Sequence, residues 1–204
     1  MINKLVVVIT FLLSSFGVLA QGEGHNTTDP YSLVKAISKQ LVQELSSVPE
    51  GEGKKAEMER IVNDVLLPHV DTKYVSYSVL GKYLKKTTKE QRDNFTQAFS
   101  GHLITTYSVA LQQFNDQKIE VQPVRNESSN QNKVSIKALV VDKERPTIDV
   151  FFKLRKNKKT GQWLMYDLVA EGISLLHSKR SEFAKMIKEQ GVEATTQHLQ
   201  GSNS

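Results

Sequence analysis

FTQAFSGHLITTYSVALQQFNDQKIEV, residues 95–121, changes its rhythm partway through. Up to Phe114 the large apolar residues Phe95, Phe99, Leu103, Tyr107, Leu111 and Phe114 recur every three or four positions, as on one face of a helix. From Asn115 the repeat falls to two, as in a strand with one buried face. A chain that is helical before this point and stranded after it builds an α+β domain.

Working back from Phe95, Thr87 or Thr88 supplies a helix N-cap, with Glu90 or Gln91 three residues on. The preceding VDTKYVSYSVLGKYLKKTT reads as one or two short helices, interrupted near Gly81. Another helical pattern runs from Lys54 to Leu67 and ends at Pro68, which biases its predecessor out of helical geometry. The first helix opens at Asp29-Pro30 and carries Leu33, Val34, Ile37, Leu41, Val42 and Leu45 on its apolar face.

Working forward, four strands are expected at Lys118–Arg125, Lys133–Asp142, Thr147–Arg155 and Gln162–Ala170. Their separators, NESSNQN, KERP and NKKTG, are of hairpin length, so the sheet is an antiparallel meander. Alternation puts Val134, Ile136, Ala138 and Val140 on one face, Ile148, Val150, Phe152 and Leu154 with them, and Leu164, Tyr166, Leu168 and Ala170 from the last strand. After Glu171-Gly172 the chain stays apolar as Ile173-Ser-Leu-Leu and enters a basic helical segment, with Gly191 dividing Lys179–Glu189 from Val192–Leu199. Three strand faces, the 95–114 helix, Val79-Leu80 and Ile173 therefore converge. Periodicity does not distinguish a filled core from a lined hollow.

The first twenty residues read as an export signal: Lys4, the apolar LVVVITFLL, and Val18-Leu19-Ala20 with small residues at the cleavage positions. The apolar stretch is shorter than the roughly 20 residues of a membrane span. Cleavage after Ala20 is expected, with 21–28 a flexible leader, 29–200 one domain and 201–204 a frayed tail. The chain has 27 basic and 22 acidic residues, and losing Lys4 lowers its formal charge from +5 to +4. That is too mild for a nucleic-acid-binding signature. With no cysteine in the chain, no lipid anchor is expected at the cleavage site and the fold rests on core packing.

No catalytic constellation is visible. The five histidines form no H-E-x-x-H motif, and no thiols supplement them as zinc ligands. Gly172-Ile-Ser174 begins like a nucleophile elbow, but Leu176 replaces the second glycine. Ser174 is better read as a cap, and Asp149 and Asp167 as solvent-facing partners of strand lysines.

Two blocks carry a resemblance. Leu66 to Leu111 holds Leu-Leu-Pro, Asp71, Val79-Leu80-Gly81, Gln91-Arg92, Phe95, Phe99, Leu103 and Tyr107 in order. The second holds Gly161-Gln-Trp163, Tyr166-Asp167, Ala170-Glu171-Gly172-Ile173-Ser174 and Lys179-Arg180-Ser181-Glu182-Phe183. With Asp29-Pro30-Tyr31 these resemble the MlaC (toluene-tolerance auxiliary) family over essentially the whole mature chain. The resemblance implies helices packed on a twisted four-stranded antiparallel sheet around an apolar pocket, shaped like the nuclear-transport-factor cones. It also implies a monomeric, periplasmic phospholipid carrier without cofactor or metal. Such a carrier shuttles between an outer-membrane lipoprotein–porin complex and the substrate-binding subunit of an inner-membrane ABC transporter, maintaining outer-membrane lipid asymmetry.

Carried onto this sequence, the lipid-lining residues are Tyr107 and Ile173. Leu80, Leu103, Val140, Val150, Phe152, Tyr166 and Leu168 join them from the converging faces. Arg155, Lys82 and Glu171 are read as surface charge, with headgroup or docking contacts the alternative. Two rivals differ in what they predict. A cone-fold enzyme needs an inward-facing acid or base such as Asp167, and a non-lipid-binding adaptor needs a filled interior.

Overall fold

The computed structural model describes residues 29–123 and 132–201. The export signal, the leader and residues 202–204 lie outside the described residues.

Helix α1 (Pro30–Ser46) starts where Asp29 accepts the Ser32 N–H at 2.8 Å, with proline at the first position. Helix α2 (Lys54–Ile61) runs into a π-turn at Val62–Leu66 and a 3-10 turn at Leu67–His69, where Pro68 withholds the N–H that a continuing helix requires. Asp71 caps α3 (Thr72–Leu80) by accepting from the Tyr74 N–H at 3.0 Å. Gly81, at φ +52°, ends it and a 3-10 segment follows to Lys86. The long helix α4 (Lys89–Leu111) carries a complete capping box, with Thr88 and Gln91 as its members.

The sheet is a meander in the order β1-β2-β3-β4-β5, all pairs antiparallel: β1 Lys118–Val121, β2 Lys133–Val141, β3 Ile148–Lys156, β4 Trp163–Ala170 and β5 Ile173–Ser174. The expected count of four strands is thus corrected to five. Glu171 (φ +49°) and Gly172 (φ +81°) are both left-handed and form the two-residue turn of a tight hairpin, pairing Ala170 with Ile173. Ser174 then opens α5 (Leu175–Gly201), its Oγ accepting the His177 N–H at 3.0 Å. Gly191 (φ +86°) kinks α5 into the two expected helical pieces.

A second correction concerns β4. Lys153 pairs with Asp167 while Leu154 pairs with Met165, so Tyr166 is a bulged extra residue. The bulge reverses the alternation. Trp163 and Met165, not Leu164 and Tyr166, join Leu168 and Ala170 on the face that α1 covers. Tyr166 turns instead toward α3, packing edge-on to Tyr74 with ring centroids 5.6 Å apart.

The apolar interior is divided into three packed clusters. One joins α3, the first half of α4, and α5 through Phe95, Phe99, Leu103, Phe183 and Ile187. Another seats Leu33, Val34 and Ile37 of α1 on Ile136, Leu154, Trp163 and Met165 of the sheet. The third ties the end of α1 to α2 and the end of α4. Val70 touches the first two, its backbone bridging β4 at Met165. Helix α4 packs chiefly on α2, α3 and α5, and α1, α3 and α5 make the main helical contacts with the sheet.

Candidate functional site: an apolar sheet face beside the packed core

Strand register sets the inward face out in rows. Val134, Leu154 and Met165 stand side by side, then Ile136, Phe152 and Leu168. Next come Val121, Ala138, Val150, Ala170 and Ile173, then Ile119, Val140 and Ile148. The first row lies against α1, with Leu154 fully buried. Farther along, cover becomes uneven: Ile136, Ala138 and Val150 stay buried. Phe152 on the central strand and its neighbours Leu168 on β4 and Val140 on β2 are only partly buried, and Ile148 and Ile173 are 36% and 62% exposed. This face grades from packed core to open apolar surface, with Ile173 at the outer end of its row.

The nine sequence-predicted lining residues divide into two groups. Val140, Val150, Phe152, Leu168 and Ile173 share the graded face, and all but Phe152 lie outside the three packed clusters. Leu80 and Leu103 are buried within the α3–α4–α5 cluster, with Tyr107 and Tyr166 against it. Ile148 and Ala170, absent from that set, stand in the same rows. Alternation alone already puts both on this face. Val109 on α4, 54% exposed, is a further apolar residue that sequence reasoning passed over.

The corner that carries Ile173 is held by Asp167. Its side chain is 4% exposed, which corrects the expectation that it faces solvent. It accepts the Ser174 hydroxyl at 2.8 Å and the Leu176 N–H at 3.0 Å, and lies 3.6 Å from the Lys153 ammonium. One carboxylate thus fixes β5 and the first turn of α5, where the helix dipole also favours negative charge. Asp167 and Lys153 pair on the face opposite Leu168, so the carboxylate points away from the graded surface. The phenol of Tyr107 is pushed up to about 12 by burial and by the Asp167 and Glu182 carboxylates, so it stays neutral across the physiological range. His102, desolvated and beside the Lys179 ammonium, titrates below the usual histidine range.

The charged residues lie elsewhere. Asp149 pairs with Lys137 at 2.7 Å. Arg155 pairs with Asp71 and lays its guanidinium over the Tyr74 ring, 4.3 Å from the centroid. Two outer grooves are also present. One, of about 350 Å³, lies between the end of α3 and α5 and is bordered by Leu80, Lys82 and Arg180. The other, of about 480 Å³, lies between α1 and β1. Among the described residues no cluster of three or more His, Asp or Glu side chains is arranged to hold a metal, and no helix is long and apolar enough to cross a membrane.

The fold is therefore a helix-clad antiparallel meander with an apolar face only part of which is packed. The sequence model of the MlaC protein family matches residues 35–201, and the chain belongs to that family. The intermembrane phospholipid transport system binding protein MlaC of Haemophilus influenzae is 28% identical over 208 positions, spanning 100% of this chain and 94% of the relative. The toluene tolerance protein ttg2D of Pseudomonas putida is 28% identical over 131 positions, 64% of this chain and 59% of its own length. Among solved structures, a phospholipid-binding protein from Ralstonia solanacearum, in complex with a phospholipid, shares the fold. The TM-score is 0.74 at 21% identity, over 86% of this chain and 97% of that one.

Proposed function

We propose that this protein is a soluble periplasmic phospholipid carrier, and not an enzyme, whose cargo lays its acyl tails along the graded sheet face. One observation carries the reading: on a sheet face where Ile136, Ala138, Val150 and Leu154 are buried, the inward side chains of Phe152, Leu168 and Val140 keep access to solvent. Family membership and the relatives named for phospholipid transport support it.

The physical need is large. Two acyl chains hold about 30 methylenes, and at about 0.8 kcal/mol each, bare tails in water are penalised by roughly 25 kcal/mol. A dry protein face substitutes for the bilayer and lowers the transfer barrier accordingly. Housing a lipid takes about 1,000 Å³, near the upper end of ligand pockets. Neither outer groove is of that size. The proposed lining set is Val140, Val150, Phe152, Leu168 and Ile173 on the graded face, with the headgroup at the Ile173 end, and Leu80, Leu103, Tyr107 and Tyr166 across the sheet, within and against the α3–α4–α5 cluster, the whole forming a cone-like enclosure. Leu80, Leu103, Tyr107 and Tyr166 take part when a tail enters between that cluster and the sheet. Headgroup selectivity is weak because the rows contain no charge. The carrier is exported by cleavage after Ala20 and works as a monomer. It exchanges lipid with an outer-membrane lipoprotein–porin complex and an inner-membrane ABC transporter of the Mla type, and those partners set the direction.

The test is solvent extraction of the purified protein followed by mass spectrometry. Phospholipid at a near-stoichiometric ratio is expected. A preparation from a phospholipid-rich host that yields none would overturn the proposal.

A further inference from the structure

The α1–β1 groove shares the side chains of Ile119 and Val121 with the end of the graded face but adds a strand edge and basic side chains that lipid carriage does not use. Tyr31, Lys35, Ser38 and Val42 follow one another along one face of α1, with Lys39 and Gln43 beside them, opposite Lys118, Ile119, Glu120 and Val121. β1 is an edge strand. The Gln122 N–H donates to the Lys137 carbonyl at 2.8 Å, which fixes the antiparallel phase. Glu120 and Lys118 then bond toward β2, while the N–H and C=O groups of Ile119 and Val121 point off the sheet. The Ser38 hydroxyl, on a residue 4% exposed, has no hydrogen-bond partner among the described residues. Lys35, Lys39 and Lys118 have no carboxylate partner among the described residues, and Glu120 is the single acid in the lining.

Among the described residues this edge is unpaired, and a helix flanking such an edge is a setting in which proteins capture extended peptides: the edge supplies backbone hydrogen bonds and the flank supplies side-chain contacts. We propose that this groove takes an extended, acidic segment of a partner protein, which adds to the sheet as a sixth strand beside β1. The partner's N–H and C=O groups pair with Ile119 and Val121. Its apolar side chains meet Val42, Ile119 and Val121, and its carboxylates meet Lys35, Lys39 and Lys118. A basic strand would be repelled, and so would the matching groove of a second copy.

The probe is a fluorescent seven-residue peptide of alternating glutamate and valine, offered to the intact protein. Saturable binding is expected, weakening at least tenfold in Lys35→Glu/Lys39→Glu and falling with added salt. The amides of Ile119 and Val121 should shift and gain exchange protection. The same peptide N-methylated at alternate amides tests the backbone pairing with no change to the protein, and its affinity should be lost. No binding at millimolar peptide, equal binding of the N-methylated form, or shifts confined to another surface would overturn the proposal. So would protection of Ile119 and Val121 that rises with protein concentration alone and tracks a dimer, because a second copy would then occupy the edge.

Discussion

Replacing Ile173 with glutamate separates cargo binding from folding. Ile173 is 62% exposed in β5 and stands in a row with Ala170 and Val150. Its substitution should therefore change unfolding free energy by no more than about 0.5 kcal/mol. Loading is another matter. Full burial of an isoleucine side chain contributes about 1.5–3 kcal/mol, so covering the exposed part with an acyl tail recovers about 1–2 kcal/mol. Glutamate forfeits that gain and sets a carboxylate against hydrocarbon, which costs at least a further ~2 kcal/mol even after the group neutralises. The total, about 3 kcal/mol or more, lowers lipid affinity roughly 100-fold or more. The assay pairs urea unfolding with lipid quantified by mass spectrometry on the same preparation. Ile173→Glu should unfold like the parent and carry almost no lipid. A stable variant that still holds a full complement would show that tails do not pass this corner.

Three further outcomes follow from the packing. Phe99→Ala removes a fully buried ring that lies 6.0 Å from Phe95 and edge-on, 5.9 Å, to Phe183, so denaturation should show a loss of about 3–5 kcal/mol. Asp167→Ala strips the acceptor from the Leu176 N–H and the Ser174 hydroxyl and should cost about 2–3 kcal/mol in urea, with Asp167→Asn recovering part of it through its remaining carbonyl. Tyr107, raised to about 12 in the folded state from 10.0, stays protonated where the unfolded chain has begun to ionise. Its contribution is complete below pH 10 and is lost as pH rises toward 12; stability profiles of the parent and Tyr107→Phe should diverge across that window, and parallel profiles would contradict the assignment.

The switch from a 3.6 to a 2.0 period at Asn115 was enough to separate helical and stranded halves, because each apolar stripe had to face one buried side. Capping chemistry at Asp29 and Thr88 was equally plain. The β4 bulge was not. TrpLeuMetTyrAsp contains apolar residues in both phases, and the phase change arises from pairing with β3, where Lys153 and Leu154 skip Tyr166. The Glu171-Gly172 turn was hidden because glutamate is an uncommon residue at positive φ, which left β5 looking like the start of a helix. Among the candidate lining residues, alternation placed Val140, Val150, Phe152 and Leu168 on one face. Burial was what sequence could not supply. Leu80 and Leu154 have the same apolar character as Leu168 and are fully buried, while Leu168 keeps solvent access. That difference depends on which helix lies overhead.

The most direct measurement is NMR of the protein loaded with isotope-labelled phospholipid, reading through-space contacts from acyl methylenes. Contacts to Phe152, Val140, Leu168 and Ile173 are the predicted result. A loaded complex whose acyl signals touch only outer grooves or bulk water, with those four side chains unchanged from the empty protein, would contradict the account.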